Sequence, residues 1–330
     1  MDTRSATVHI RPFEPHADEY DAVAVLAARV ASGELCDFEQ TGGTHLRTFD
    51  TALVAGGILL RRFVAEVPSI NQIIGHAQVF AVPWGSDPRR RFWLHVRVAP
   101  AWQKRGVGSA LFVRAQEELW QHGADVAIAQ THEHHSDAAR WIAHAGFSEV
   151  MRSWEFRLDV RRANVAAIQR YLLRLKEAGI ELTTLAIELR RDAAGAIDRL
   201  FELHRTLLHD VPIPEQVVIS REWFESYAGI MPDGYFIARH NGRYIGESFA
   251  HPLDGESSTL AQRVTGVLSE YRGQGVAMAL KLMTIVFARQ RGYTRIHTAI
   301  ESNNEPMLAV SRKLGFVQYP GLIVFEKSYS

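Results

Sequence analysis

Arg272-Gly273-Gln274-Gly275-Val276-Ala277-Met278-Ala279-Leu280 has a counterpart earlier in the same chain, Gln103-Lys104-Arg105-Gly106-Val107-Gly108-Ser109-Ala110-Leu111. The central glycines are 275 − 106 = 169 residues apart. The offset persists downstream, placing Gln121 on Gln290, Gly123 on Gly292, and Gly146-Phe147 on Gly315-Phe316. A repeat of this size within 330 residues means two copies of one domain rather than a solenoid. The length agrees, since each half is long enough to bury its own core.

Each copy stands where a strand gives way to a helix. Val96-Arg97-Val98-Ala99-Pro100 and Thr265-Gly266-Val267-Leu268 read as extended chain. After Gly106 the period changes: Val107, Ala110, Leu111, Ala115 and Leu119 recur at three and four until Gly123. A glycine turn at a helix N-terminus presents several backbone N–H groups and the positive end of the helix dipole. That combination binds phosphate without a metal, and glycine permits close approach and positive φ. A Walker loop requires Gly-Lys-Ser/Thr, which neither copy has. A dinucleotide fingerprint requires a third glycine, but Leu111 and Met278 occupy that position. The pattern left is Gln/Arg-x-x-Gly-x-Gly/Ala.

Around the loops the rest of each half reads as α+β. Strands are expected at residues 8–12, 58–60, 73–82, 92–98 and 126–129, and helices at 17–31, 107–120 and 137–145. The order recurs with helices at 192–208, 276–291 and 305–314 and strands near 182, 234–239, 243–250, 259–268, 294–300 and 322–327. The expected organisation is a domain over 1–160, a linker helix over 161–180 and a second domain over 181–330. Each domain is expected to hold a mixed, mostly antiparallel sheet flanked by helices.

Composition excludes several classes of function. Lys plus Arg and Asp plus Glu are both 37, so no net charge draws the chain to nucleic acid or an anionic membrane. No apolar run approaches the roughly 18–20 residues that span a bilayer, and Met1–Ser5 leads into no signal-peptide core. Cys36 stands alone, which excludes an intrachain disulfide. The expectation is a soluble cytoplasmic protein, monomer or homodimer, without nucleic-acid or membrane partners. The run His132-Glu133-His134-His135 suggests a metal at first glance. Adjacent histidines on one loop rarely satisfy tetrahedral geometry, so a polar loop and no metal are expected.

Together these motifs resemble the GNAT superfamily of acyl-CoA-dependent N-acyltransferases in its tandem form. The arrangement is similar to that of mycothiol synthase and related two-domain acyltransferases. Gln103-x-x-Gly106-x-Gly108 and Arg272-x-x-Gly275-x-Ala277 match the family's pyrophosphate loop, and Asn304-x-x-Met307 with Leu314-Gly315-Phe316 matches its later strand–helix motif. The resemblance implies acetyl-CoA as acyl donor, without a metal, and a small-molecule or peptide amine as acceptor. It implies cofactor binding by Val98, Ala99, Gln103, Lys104, Arg105, Gly106, Val107, Gly108 and Ser109 in the first copy. In the second copy it implies Val267, Leu268, Arg272, Gly273, Gln274, Gly275, Val276, Ala277 and Asn304. The preceding strand is implied to pair with the pantetheine arm as one more strand at an exposed edge.

Acyl transfer from a thioester to an amine needs a base for the amine proton and, in many members of the family, a tyrosine acid for the leaving thiolate. The tyrosine position holds Ile142 in one half and Ser311 in the other. Glu301 and Glu247 are the candidate bases of the second half, and Ser311 is a candidate partner for the thiol. His95 and His135 stand out in the first half. The aromatic-rich segment His209–Tyr227 is where an acceptor pocket is expected. The closer motif match of the second half makes it the expected catalytic half. The alternative is a non-catalytic acyl-CoA-binding or regulatory protein, motivated by the missing tyrosines.

Overall fold

The computed structural model describes residues 7–30, 42–82, 89–211, 219, 221–253 and 256–329, with Trp223 as backbone only. The chain divides into two compact units that are not contiguous in sequence. Of the described residues, unit 1 takes those up to Val150 and from Ile323 onward, whereas unit 2 takes those from Met151 to Leu322. The last strand of unit 1 therefore comes from the C-terminal end of the chain.

In chain order, the first half runs β1 (His9–Pro12), α1 (Ala17–Val30), α2 (Gly43–Ala55), β2 (Leu60–Val67), β3 (Gln72–Ala81), β4 (Arg91–Val98), α3 (Val107–Gln121), β5 (Val126–His132) and α4 (Ser136–His144). The chain continues through β6 (Ser148–Asp159), α5 (Ile168–Glu177), β7 (Ile180–Thr184), α6 (Leu185–Arg191), α7 (Ala193–Leu208) and α8 (Arg221–Ala228). It ends with β8 (Tyr235–His240), β9 (Arg243–Leu253), β10 (Glu256–Val267), α9 (Val276–Gln290), β11 (Arg295–Glu301), α10 (Glu305–Lys313) and β12 (Val317–Ser328).

The sheet of unit 1 runs β1-β2-β3-β4-β5-β12, and that of unit 2 runs β6-β11-β10-β9-β8-β7. Early strands pair antiparallel, while β4–β5 and β10–β11 are parallel, as strand–helix–strand crossovers require. The α+β expectation is met. Lys327 Nζ donates to Ala145 O (2.8 Å) and Tyr329 N to Asp125 O (2.9 Å), which fastens the borrowed strand into unit 1.

Among the elements not legible in the sequence are α2, β6 and α6. Helix α2 turns Leu46 and Leu53 inward but also Asp50, which breaks its apolar stripe. Strand β6 and helix α6 carry mixed patterns whose burial follows from their neighbours in the fold. The segment 161–180 contains α5 over Ile168–Glu177, and this helix packs within unit 2 by burying Leu175. Cys36, the expected loop 83–88, and Pro212-Ile213-Pro214 of the aromatic segment lie outside the described residues.

Candidate active site

The two loops share one backbone design. Strands β4 and β10 each end at a valine, followed by a short 3-10 turn and then the helix. Gly106 (φ 83°) and Gly275 (φ 88°) are the N-caps of α3 and α9, both left-handed, with no side chain capping the helix. Two residues earlier, Lys104 (φ 58°) and Gly273 (φ 76°) are left-handed as well. Lys104 holds a conformation that costs a residue with a Cβ on the order of 1 kcal/mol. The first residue of each loop ties it to the strand: Gln103 Nε2 donates to Val98 O (3.0 Å), and Arg272 Nε donates to Val267 O (3.1 Å). The N–H groups at the start of α3 and α9 are thus left for an anion.

Beside each loop the sheet opens. Strands β4 and β5 pair at Arg91–Trp93 with Val126–Ile128, and β10 and β11 pair at Thr259–Ala261 with Arg295–His297. Beyond those residues the parallel partners separate into a wedge that exposes one edge of β4 and of β10. An extended arm bearing amides fits such an edge as an added strand.

The cofactor candidates fall on these features. Val98 and Val267 end the wedge strands, Ala99 and Leu268 open the 3-10 turns that follow, Gln103–Ser109 and Arg272–Ala277 form the loops and first helical residues, and Asn304 caps α10 by accepting from Met307 N–H (3.4 Å). The cations are partly engaged already: Arg272 NH2 donates to Asp210 (2.5 Å), Lys104 Nζ meets Asp137 (2.7 Å), and Arg105 lies over the Trp102 ring. A Cβ built on Gly106 meets nothing within 4 Å, while one on Gly275 stands 3.0 Å from the Tyr171 ring of α5.

Of the candidate bases, Glu301 is half-buried at the end of β11, in the open part of the wedge. Glu247 is completely buried on β9, opposite Gly266. Its Oε1 lies 2.6 Å from His204 Nδ1 of α7, and its Oε2 accepts from Tyr235 OH at 2.8 Å. Burial, then the Glu247 charge, pushes the Tyr235 phenol well up, so it stays a neutral donor. Ser311 is buried, and its hydroxyl finds no hydrogen-bond partner among the described residues.

Sequence reading missed a second set of residues. Lys281 is fully buried on α9, its Nζ 2.6 Å from Gln262 Oε1 and over the Phe316 ring. Gln262 Nε2 donates to Ser248 Oγ (3.0 Å), which lies 3.0 Å from Thr265 Oγ1. A lone lysine inside the apolar run of α9 was the available signal for this set, as His204 was in α7.

In unit 1, His95 lies against the rings of Phe80 and Trp93, His132 stacks on His134, and His135 is the N-cap residue of α4. Among the described residues no group of three or more His, Cys, Asp or Glu is placed to hold a metal.

The loop, the wedge and their duplication define an acyl-CoA-dependent acetyltransferase fold, and sequence comparison agrees. The model of the Acetyltransferase (GNAT) family matches residues 38–147 and 197–316, so the chain belongs to that family. It is 32% identical over 236 residues to the mycothiol acetyltransferase of Saccharomonospora viridis, covering 66% of this chain and 69% of the relative. The mycothiol acetyltransferase of Thermobifida fusca is 29% identical over 252 residues, or 70% and 73% of the two chains. A tandem GNAT protein from the clavulanic acid biosynthesis pathway shares the fold with a TM-score of 0.69 at 18% identity, covering 98% of each chain. The chain is a tandem GNAT N-acetyltransferase that transfers acetyl to an amine. Members of this family use acetyl-CoA as co-substrate. No described helix is long and apolar enough to cross a membrane.

Proposed function

We propose that unit 2 is the catalytic half, moving acetyl from acetyl-CoA to the primary amine of a small molecule. The observation that carries this reading is the contrast in polar groups beside the two wedges. Glu301 ends β11 beside the unit 2 wedge, and a bonded chain of four polar side chains reaches β10 on the wedge's other strand.

The N–H groups of residues 273–277 and the α9 dipole hold the pyrophosphate of the donor, and the open edge of β10 pairs with its arm. Glu301 takes the amine proton, because it is half-buried at the end of β11 beside the wedge, whereas both Glu247 oxygens already accept hydrogen bonds. Glu247 is a positioning residue that holds His204 and Tyr235 between α7, β8 and β9. The relatives' name makes the des-acetyl form of mycothiol the first acceptor to test, within a panel of small amines. A cytoplasmic location is part of this reading, since acetyl-CoA is available there.

The test is release of free CoA by two loop variants whose folding is verified by circular dichroism. Gly275→Glu puts a carboxylate where the pyrophosphate binds and is expected to lower turnover by at least roughly 100-fold. Gly106→Glu is expected to leave turnover within about two-fold, since it touches only unit 1. The reverse pattern assigns catalysis to unit 1. Binding of acetyl-CoA without turnover of any amine in the panel means a binding protein instead.

A further inference from the structure

The tyrosine position of unit 2 holds Ser311, so the leaving sulfur needs another partner, and the buried polar chain ends where one can be supplied. Its direction follows from donor and acceptor counts. A lysine ammonium has no acceptor, so the amide of Gln262 must turn its oxygen to Lys281 Nζ (2.6 Å) and its nitrogen to Ser248 Oγ (3.0 Å). The Ser248 proton has two acceptors in reach, Thr265 Oγ1 at 3.0 Å and Thr284 Oγ1 at 3.4 Å. Thr284 gives its own proton to Leu280 O (3.2 Å). Either oxygen of the Ser248–Thr265 pair can be the donor, and we assign the Ser248 proton to this shorter contact. The Thr265 hydroxyl proton is then left over. Thr265 is half-buried on the stretch of β10 that no longer pairs with β11, so the available space for that proton is the wedge.

The backbone is shaped for this contact. Gln262 stands opposite Ala250 and Thr265 opposite Ser248, so three steps on β10 match two on β9. Side chains three apart on a regular strand face opposite ways, and the bulge brings both to Ser248. Unit 1 shows that the fold does not need the chain. Its matching register pair is Val96 with Ala77, and Phe112 and Ala115 stand where the 169-residue offset puts Lys281 and Thr284.

We propose that the Thr265 hydroxyl is a catalytic hydrogen-bond donor to the departing thioester sulfur, aimed by Ser248, Gln262 and Lys281 as positioning residues. This rests on unit 2 being the catalytic half. As the amine nitrogen bonds to the acetyl carbon, the C–S bond breaks and its electron pair leaves on sulfur. Thr265 stabilises that charge without giving up its proton, and the proton lost by nitrogen to Glu301 ends on the thiolate. Burial alone lowers Lys281 to about 7, with no contribution from charged groups on β9, β10, α10 or the start of β12. The position of Nζ, 2.6 Å from Gln262 Oε1 and over the Phe316 ring, fits the ammonium form that locks the chain.

The experiment is a double-mutant cycle on kcat in the full chain. Thr265→Val, which keeps shape and strand propensity, is expected to lower kcat roughly 10- to 100-fold with KM for acetyl-CoA within about two-fold. Thr265→Ser keeps the hydroxyl and is expected to stay within a few-fold of wild type. Lys281→Met is expected to lower kcat several-fold alone and to add nothing in the Thr265→Val background. Wild-type kcat in Thr265→Val, or losses that multiply in the double variant, would overturn the assignment. Full turnover in Gly275→Glu means the wrong unit was chosen. Loss there with normal Thr265→Val sinks the Thr265 role alone.

Discussion

Units 1 and 2 place different chemistry at matching positions of one scaffold. On β3, His76 lies opposite Arg97 and Val64; on β9, Glu247 lies opposite Gly266 and Ile237. The glycines just before them match too, since a Cβ on Gly75 or Gly246 meets Leu111 or Leu280, the same helical position in the two copies. By the same register Arg62 occupies in unit 1 the place of Tyr235 in unit 2. Unit 1 fills this region with an ion pair: Arg62 Nε and NH2 donate to Asp50 at 2.8 Å, with NH1 3.1 Å from His76 Nε2 and Tyr20 OH donating to Asp50. Unit 2 has the carboxylate on the strand and the histidine on the helix. The scaffold tolerates either charge pattern, provided the buried groups are mutually satisfied.

The comparison breaks first, and hardest, at Arg62. Replacing it with Met leaves Asp50 buried with the Tyr20 hydroxyl but without its cationic partner, so stability is expected to fall by roughly 3–5 kcal/mol. Thermal unfolding reads the loss, and kcat per folded molecule should hold. A lower kcat would mean that unit 1 takes part in turnover.

Lys281→Met is expected to act in the opposite sense. Lysine's ordinary value is 10.5 and burial lowers Lys281 to about 7, so between these limits the unfolded chain binds the extra proton. Wild-type stability should therefore rise with pH from about 7 towards 10.5, and the destabilisation is fully present below 7. The Met variant removes that slope and should gain on the order of 2–4 kcal/mol below pH 7. Denaturant titrations across pH check the sign, and a flat wild-type curve would show that Lys281 is not held in a dry site.

The smallest effect is expected at Asn304, whose side chain caps α10 where His135 provides no cap to α4. Asn304→Ala should cost about 1 kcal/mol. A rise in KM for acetyl-CoA beyond that stability loss would give Asn304 a role at the cofactor as well.

Much of this architecture was readable because it is local. The glycines that must adopt positive φ, the valine-ended strands before them and the three–four spacing after them are adjacent in sequence. Glu301 and Ser311 could be named because they stand at short, fixed distances from recognisable motifs. The hydrogen-bonded set could not. Lys281 and Gln262 are 19 residues apart, His204 and Glu247 are 43 apart, and Gln262 and Thr265 share a face only because of a bulge. Ser248 and Thr284 read in the sequence as ordinary strand and helix hydroxyls.

The sequence by itself determined that there are two copies, that each is α+β, and where each copy's glycine turn at a helix N-terminus lies. Those features follow from backbone conformations that only certain residues permit at certain spacings. The tertiary structure decided that unit 1 closes with the end of the chain, and that one copy buries an arginine–aspartate pair where the other buries a glutamate. It also decided that a buried lysine ends a chain of hydroxyls in the second wedge. The physical reason is that a buried polar group is defined by its partners, and partners distant in sequence meet only when the sheet sets their register.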